Sequence, residues 1–255
     1  MSVQASFAQI AREGGRAALV TALQGPHAGE RLLVHIDGQT EGTLGDPELD
    51  AEGTAGAEEL MWSDKSEHRG DLFIDITAPP PRIVIFGAVE FATHLSAFAK
   101  VADWRAYVVD PRARFATRER FPDAVDVIAG WPDAAFEKLG AIDPATYLAV
   151  LTHDPKLDDA VLLMALKSDA KYIGAMGSKR AQKERRERLM EHGVTDEELE
   201  RISAPVGLDL GATGARETAL SIMAECVAVR YGRDGGRLCQ KGADRKRIHA
   251  EAAAS

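Results

Sequence analysis

Ile83-Val84-Ile85-Phe86-Gly87-Ala88-Val89, entered through Pro79-Pro80-Pro81, is the stretch around which the rest of the chain is organised. A short unbroken apolar run with prolines before it and a glycine after it reads as a buried parallel strand leading into a tight turn and a helix. The next segment, Glu90 to Val101, puts Phe91, Leu95, Phe98 and Val101 on one helical face, and Arg105 to Asp110 supplies a second strand ending in an acid. Strand, turn, helix and strand, with Gly87 at the turn and Asp110 beyond the helix, form the outline of a nucleotide-binding βαβ unit.

Outward from that unit, further strands are expected at Ala124 to Ile128, Tyr147 to Leu151 and Lys171 to Ile173. Helices are expected at Pro132 to Leu139, Lys156 to Lys167, Ser178 to His192 and Arg216 to Tyr231. Alternating strands and helices predict an α/β fold: a Rossmann-like parallel sheet with helices on both faces and, for right-handed crossovers, the strand order 3-2-1-4-5.

Upstream, a helix over Phe7 to Gly14 and strands at Ala17 to Leu23, Arg31 to Ile36 and Gln39 to Leu44 are expected, with a hairpin turn at Asp37-Gly38. Asp46-Pro47 opens a helix toward Trp62 that Gly53 and Gly56 weaken, and Asp71 to Thr77 closes a small α+β domain. The prolines form a stiff linker, so the expected domains are residues 1–78 and 82–233, with 234–255 as a frayed tail.

The chain has 255 residues and two cysteines, Cys226 and Cys239, too few for a disulfide scaffold or a structural zinc site. A net charge of -9 argues against a general nucleic-acid binder. No run approaches the roughly 20 apolar residues of a membrane span, and no signal pattern opens the chain, so a cytoplasmic location is expected.

Ligands of parallel sheets gather beyond the carboxyl ends of the strands, which makes the polar residues there the candidates. At Gly87-Ala88-Val89-Glu90-Phe91-Ala92, Val89 stands where a dinucleotide fingerprint wants a second glycine. Its bulk, and its aversion to a positive φ, count against NAD(P) at this turn. Asp110 and Arg112, with Arg114, end the second strand as either ribose, pterin or phosphate contacts or a cap with solvated arginines. Thr152, His153 and Asp154 end the fourth strand, but three consecutive residues do not form a preformed metal triad. Asp154 also suits an N-cap before Pro155, which is compatible with His153 facing a ligand.

Gly177, Ser178, Lys179 and Arg180 offer a tight turn, an N-cap and added positive charge, the makings of an anion site or of an ordinary capped helix. The stretch Lys183 to Arg188 alternates charges and reads as a solvated helix face. Asp209, Gly211 and Glu217 lie around a glycine-bounded loop and either bracket a ligand or cap the following helix. Cys226 fits a small core residue better than a nucleophile.

Taken together, Asp110-Pro111-Arg112, Phe121-Pro122, Thr152-His153-Asp154, Tyr172-Ile173-Gly174, Gly177-Ser178-Lys179-Arg180, Pro205 to Ala212 and Ala219 to Glu225 resemble the XdhC/CoxI family of xanthine dehydrogenase accessory proteins. The resemblance covers nearly all of the second domain and is thinner in the first, at Gly29 to Val34 and Asp37-Gly38. It implies a chaperone rather than an enzyme, with no catalytic residue of its own. Such a protein binds molybdenum cofactor of the molybdopterin type and protects it while a cysteine desulfurase supplies sulfur. It then delivers the cofactor to an apo molybdenum hydroxylase of the xanthine dehydrogenase or CO dehydrogenase type. Whether it acts as a homodimer, and whether the cargo is the mononucleotide or dinucleotide form, is left open.

The departures are specific. The family's first turn is Gly-Ala-Gly-His-Val-Ala, whereas this chain has Val89 and Glu90 at the third and fourth positions. The family's cysteine-bearing Gly-Gly-Gly-Cys-x-Glu stretch is replaced by Gly45-Asp46-Pro47-Glu48-Leu49-Asp50, so any contact that cysteine makes in relatives is lost here. Two rival classes stand beside the chaperone: an NAD(P)-dependent oxidoreductase holding a ribose on Asp110, and an assembly partner that binds the apoenzyme without cofactor.

Overall fold

The computed structural model describes residues 2–239. Two compact units meet between Pro80 and Pro81. The part of the expected tail beyond residue 239 lies outside the described residues.

The first unit contains helices α1 (Val3–Arg12) and α2 (Pro47–Leu60) and strands β1 (Ala17–Ala22), β2 (Arg31–His35), β3 (Thr40–Thr43), β4 (Glu67–Arg69) and β5 (Leu72–Thr77). The sheet is antiparallel, in the order β3-β2-β1-β5-β4. Side chains of the central strand β1 alternate between two cores. Ala18, Val20 and Ala22 pack with Leu32, Val34 and Ile74 on the face that α2 covers, and Ala17, Leu19 and Leu33 pack with Val3, Phe7 and Ile10 of α1 on the other. Helix α1 begins earlier than its apolar pattern suggests because the Ser2 side chain accepts from the Ala5 N–H. Gly56, a liability on propensity, is a close-approach site: a Cβ there would lie 2.7 Å from Ile74 Cδ1. Strand β4 has no signal in the sequence because all three of its residues are polar; pairing with β5 holds it, together with the two hydrogen bonds from Arg69 to Glu59 of α2 at 2.7 and 2.9 Å.

The second unit runs β6 (Arg82–Phe86), α3 (Glu90–Val101), β7 (Arg105–Val109), β8 (Asp126–Ile128), α4 (Pro132–Leu139), β9 (Thr146–Val150), α5 (Pro155–Leu166), β10 (Tyr172–Ala175), α6 (Lys179–Glu191), α7 (Asp196–Leu199), β11 (Ile202–Ser203) and α8 (Ala215–Arg230). All six strands are parallel, in the order β11-β10-β9-β6-β7-β8. This is the expected 3-2-1-4-5 order with one strand added outside β10. At two residues, β11 is too short to leave a periodic signal.

Ile83 and Ile85 of β6 face one core with Leu95 and Ala99 of α3 and Ala219, Ile222 and Cys226 of α8. Val84 and Phe86 face the other with Leu157, Val161 and Leu162 of α5 and Leu189 of α6. The expected inner face of α3 needs one correction: Val101 is 85% exposed, and Ala92, Leu95 and Ala99 carry the contact. Six residues beyond Leu95, a helix stops about 120° short of two full turns, which carries Val101 off the face that Leu95 occupies. Among the described residues, no helix is long and apolar enough to cross a membrane.

Candidate functional site

Because the strands of the second unit are parallel, all their carboxyl ends lie along one edge, and the polar turns that follow them form a crest. At the first turn, Gly87 has φ +113°, and a Cβ there would lie 3.1–3.2 Å from Thr152 Cγ2, Thr152 N and Leu151 C. Only glycine lets the ends of β6 and β9 come this close. Val89 is the N-cap of α3 with φ −107°, so the positive φ belongs to Gly87. Of the two objections to NAD(P) at this turn, only the bulk of Val89 remains.

Asp110, at the end of β7, has no solvent exposure. Its Oδ2 accepts from the Ala88 N–H at 2.8 Å and from Arg112 Nη2 at 2.8 Å, and its Oδ1 accepts from the Arg112 N–H and Nε, each at 2.9 Å. Burial pushes its pKa up, but the Arg112 guanidinium and the two backbone N–H groups outweigh burial and hold the carboxyl below its ordinary value. The expectation that Asp110 meets a ligand is therefore corrected: it ties the first turn to the second and aims Arg112. The guanidinium of Arg112 is the exposed group, and its pKa is raised by the hydrogen bonds to Asp110 and, more weakly, by the charge of Asp154. That last effect brings the ends of β7 and β9 into one electrostatic neighbourhood.

Thr152, His153 and Asp154 divide between interior and surface. Thr152 is buried; its Oγ1 donates to Asp158 Oδ1 at 2.6 Å and accepts from the Asp154 N–H at 3.0 Å. Asp154 caps α5 by accepting from the Lys156 N–H at 3.0 Å, and His153 is exposed. Asp158, itself buried, accepts from Arg185 Nη2 at 3.0 Å, and the same Nη2 donates to the Met176 carbonyl at 2.7 Å. Burial raises the pKa of Asp158 against the opposing pull of Thr152 and Arg185.

Charge alternation puts Arg185 on a solvated face, yet it is 5% exposed, and its Nε and Nη1 lack hydrogen-bond partners. The spacing held a clue: Arg185 lies four residues before the fully buried Leu189, on the same face of α6. The guanidinium lies beneath the turn before α6. A Cβ on Gly177, where φ is +150°, would sit 3.5 Å from Arg185 Nη2, 3.7 Å from Nη1 and 3.3 Å from Ala181 Cβ. Ser178 caps the helix by accepting from the Ala181 N–H at 3.2 Å. Lys179 and Arg180 are exposed, and Arg180 pairs with Glu184 at 2.7 Å.

The loop after β11 is pinned to α8. Glu225 Oε2 accepts from the Gly207 N–H at 2.7 Å and from the Tyr172 hydroxyl, and Ser221 Oγ donates to the Leu208 carbonyl. Sequence reasoning missed this Tyr172–Glu225 anchor, whose partners are 53 residues apart. Asp209 and Gly211 are exposed, and Glu217 accepts from the Thr213 N–H at 3.4 Å, the capping alternative of the two open to it. Among the described residues, no three His, Cys, Asp or Glu side chains gather as metal ligands.

A parallel sheet of this order, with glycine-led turns along its crest, defines a Rossmann-type α/β domain. The chain belongs to the XdhC family: the XdhC Rossmann domain matches residues 83–226. It is 28% identical to a probable xanthine dehydrogenase subunit of Bacillus subtilis (strain 168) over 160 residues, which are 63% of this chain and 46% of that protein. Over 89 residues, 35% of this chain and 28% of the other, it is 39% identical to the molybdenum cofactor insertion chaperone PaoD of Escherichia coli (strain K12). The chain thus spans less than half the length of these relatives. A crystal structure of a xanthine dehydrogenase from Bacillus halodurans is similar with a TM-score of 0.61 and 26% identity, covering 87% of this chain and 64% of that one.

Proposed function

We propose that this chain is a molybdenum cofactor chaperone. It holds a molybdopterin-type cofactor on the crest, shields it while a cysteine desulfurase supplies the terminal sulfur, and passes it to an apo molybdenum hydroxylase of the xanthine dehydrogenase or CO dehydrogenase type. Membership of the XdhC family and similarity to PaoD, a cofactor insertion chaperone, support this reading. The observation that carries it is the start of α6. There the Gly177 turn has no side chain to bar an approaching anion, and the buried Arg185 beneath it keeps two N–H-bearing nitrogens unpaired.

A phosphate fits that chemistry: the free backbone N–H groups of a helix start and a guanidinium favour negative charge there. The pterin phosphate would sit at Gly177 and Ser178 with Lys179 and Arg180 beside it. Arg112, His153 and Asp154 would face the pterin and the metal oxo groups, and Thr152 and Gly87 would shape the floor. Asp209, Gly211 and Glu217 would border the cargo from the far loop. Residues 1–80 contain no cysteine, so the grip of this chain rests on the crest. Binding rather than bond-making is the task, and release follows when the client binds the cargo more tightly. The cytoplasmic location expected from the sequence belongs to this proposal.

The test is purification from a molybdate-replete host followed by metal and pterin analysis. Wild type retains molybdenum and pterin, and Ser178→Asp, which sets a carboxylate against the phosphate, loses both. Equal contents in the two proteins would overturn the placement.

A further inference from the structure

The loop that follows β7 carries four arginines, Arg112, Arg114, Arg118 and Arg120, against one acid, Glu119, in a chain whose net charge is -9. Three of the guanidiniums gather on one ring: the Cζ atoms of Arg114, Arg112 and Arg120 lie 4.5, 4.9 and 5.4 Å from the centroid of Phe115. No two of these charges are farther apart than roughly 10 Å, about one Debye length in 0.1 M salt, so their repulsion is not screened away. The loop holds them there. Arg112 is bound to Asp110, Arg120 Nη1 donates to the Phe115 carbonyl at 3.1 Å, and the fully buried Phe121 anchors the far end. Acids answer only one of the three. Arg112 pairs with Asp110, whereas Glu119 is held by its own N–H and the Thr117 hydroxyl, and Asp123 pairs with Lys100 at 2.8 Å. Among the described residues, no carboxylate lies within ion-pair distance of Arg114 or Arg120, and Arg114 is exposed.

We propose that this loop is a docking site for an acidic, extended segment of a partner protein, whose successive carboxylates meet the arginines around Phe115 in turn. The phenyl ring occupies the point on which the three charges converge, so no single phosphate or carboxylate is held by all of them at once. Anions spaced along a chain are. A nucleic acid would bring a charge every 1.7 Å or so of duplex against a chain that is itself at -9, far more than one loop answers, whereas a short acidic segment confines its charge to the loop. The guanidiniums are presented on a loop already fixed by its own hydrogen bonds, so little freedom is lost on docking, and each offers the planar fork that suits a carboxylate. Half-buried Phe115 gives the methylene groups of the segment an apolar surface between the charges. Nothing in this requires the chaperone reading. On that reading the segment belongs to the client and lands at the edge of the crest, beside Arg112.

The test is fluorescence anisotropy of the full chain with a labelled peptide of alternating glutamate and glycine. A glutamine–glycine peptide is the neutral control, and inorganic phosphate and single-stranded oligothymidylate are competitors. The glutamate peptide should bind, more weakly as salt rises, and the glutamine peptide should not. Arg114→Glu should weaken binding roughly tenfold or more, the worth of one charge-assisted hydrogen bond. Phe115→Leu, which keeps an apolar side chain but removes the ring that gathers the guanidiniums, should also weaken it, with unchanged circular dichroism attesting the fold of both variants. Lys171→Glu makes the same change of charge at an exposed position just before β10, at the end of the sheet away from the crest, and should alter the affinity by less than about threefold. Arg114→Glu should carry as much molybdenum and pterin as wild type.

Equal binding of the two peptides, or unchanged affinity in both Arg114→Glu and Phe115→Leu, overturns the docking site. So does a loss in Lys171→Glu as large as that in Arg114→Glu, which would reduce the effect to net charge. Phosphate that displaces the peptide when matched to it in charge overturns the extended segment in favour of a simple anion site, and tighter binding of oligothymidylate assigns the loop to nucleic acid instead. Loss of molybdenum and pterin from Arg114→Glu would place Arg114 in the cargo site and overturn its role in docking.

Discussion

Replacing Asp158 with leucine should be among the most damaging single changes in the second unit. The substitution removes the carboxylate that receives Thr152 Oγ1 at 2.6 Å and Arg185 Nη2 at 3.0 Å. Arg185 is then left, 5% exposed, with only the Met176 carbonyl as partner. Removing one member of a buried ion pair costs about 3–5 kcal/mol, because the surviving charge stays desolvated. Arg185→Met strands the carboxylate instead, but that group has an escape. Burial already raises its pKa against the pull of Thr152 and Arg185, so without Arg185 it takes a proton more readily. A group whose folded pKa is raised contributes stability at low pH that is lost as pH rises through that pKa. The deficit of Arg185→Met relative to wild type should therefore narrow on acidification, whereas that of Asp158→Leu should persist.

The double variant Asp158→Leu/Arg185→Met replaces charge by apolar bulk and should recover most of the loss, giving a coupling on the order of 3 kcal/mol. Urea unfolding in a Trp62→Phe background, where the remaining tryptophans Trp104 and Trp131 both lie in the second unit, reads that unit alone. If Asp158→Leu lies within about 0.5 kcal/mol of wild type, as an ordinary surface substitution would, the buried network is not holding the crest together.

Three further outcomes are expected. Asp110 has a depressed folded pKa, so its contribution is present above the ordinary aspartate value of 3.8 and lost as pH falls through the folded one. Melting temperatures across an acid pH series should show Asp110→Asn less stable at neutral pH and flatter in acid than wild type; parallel curves would contradict this. Gly87→Ala combines a positive φ with contacts of 3.1–3.2 Å to Thr152 and Leu151, and should cost about 1–3 kcal/mol in chemical denaturation. Gly193→Ala, at φ +85° with open space around it, should cost less; the reverse ranking would refute the close-approach argument. A thiol reagent should modify exposed Cys239 in the native protein and leave Cys226 untouched until unfolding, since burial pushes the Cys226 thiol well up; early labelling of Cys226 would place it outside the core.

The parallel sheet was legible because its signals are local. An apolar run between Pro81 and Gly87 is a buried strand wherever it packs, and the alternation of such runs with amphipathic segments leaves few topologies. The caps at Ser178 and Asp154 were legible for the same reason, since each bonds an N–H two or three residues away. Strands β4 and β11 were not, because contacts with neighbours, rather than a pattern in their own residues, hold them.

The candidate site was half legible. Its turns were found by position at strand ends, but the state of each side chain there depends on partners far along the chain. Asp110 reaches the Ala88 N–H 22 residues away, and Arg185 reaches Asp158 across 27. Ranges this long lie beyond any local pattern, so an acid at a strand end looked like a ligand contact and a buried arginine looked like surface.

By itself, then, the sequence determined the class of fold, the order of five parallel strands and the edge along which the polar turns gather, since hydrophobic period, turn residues and crossover handedness act over short stretches. Only the tertiary structure decided that Asp110 is consumed inside the crest, that Arg185 lies beneath the Gly177 turn with unpaired nitrogens, and that three arginines crowd the ring of Phe115. Desolvation and hydrogen-bond satisfaction are settled by what packs around a group, and that is known only once distant segments have met.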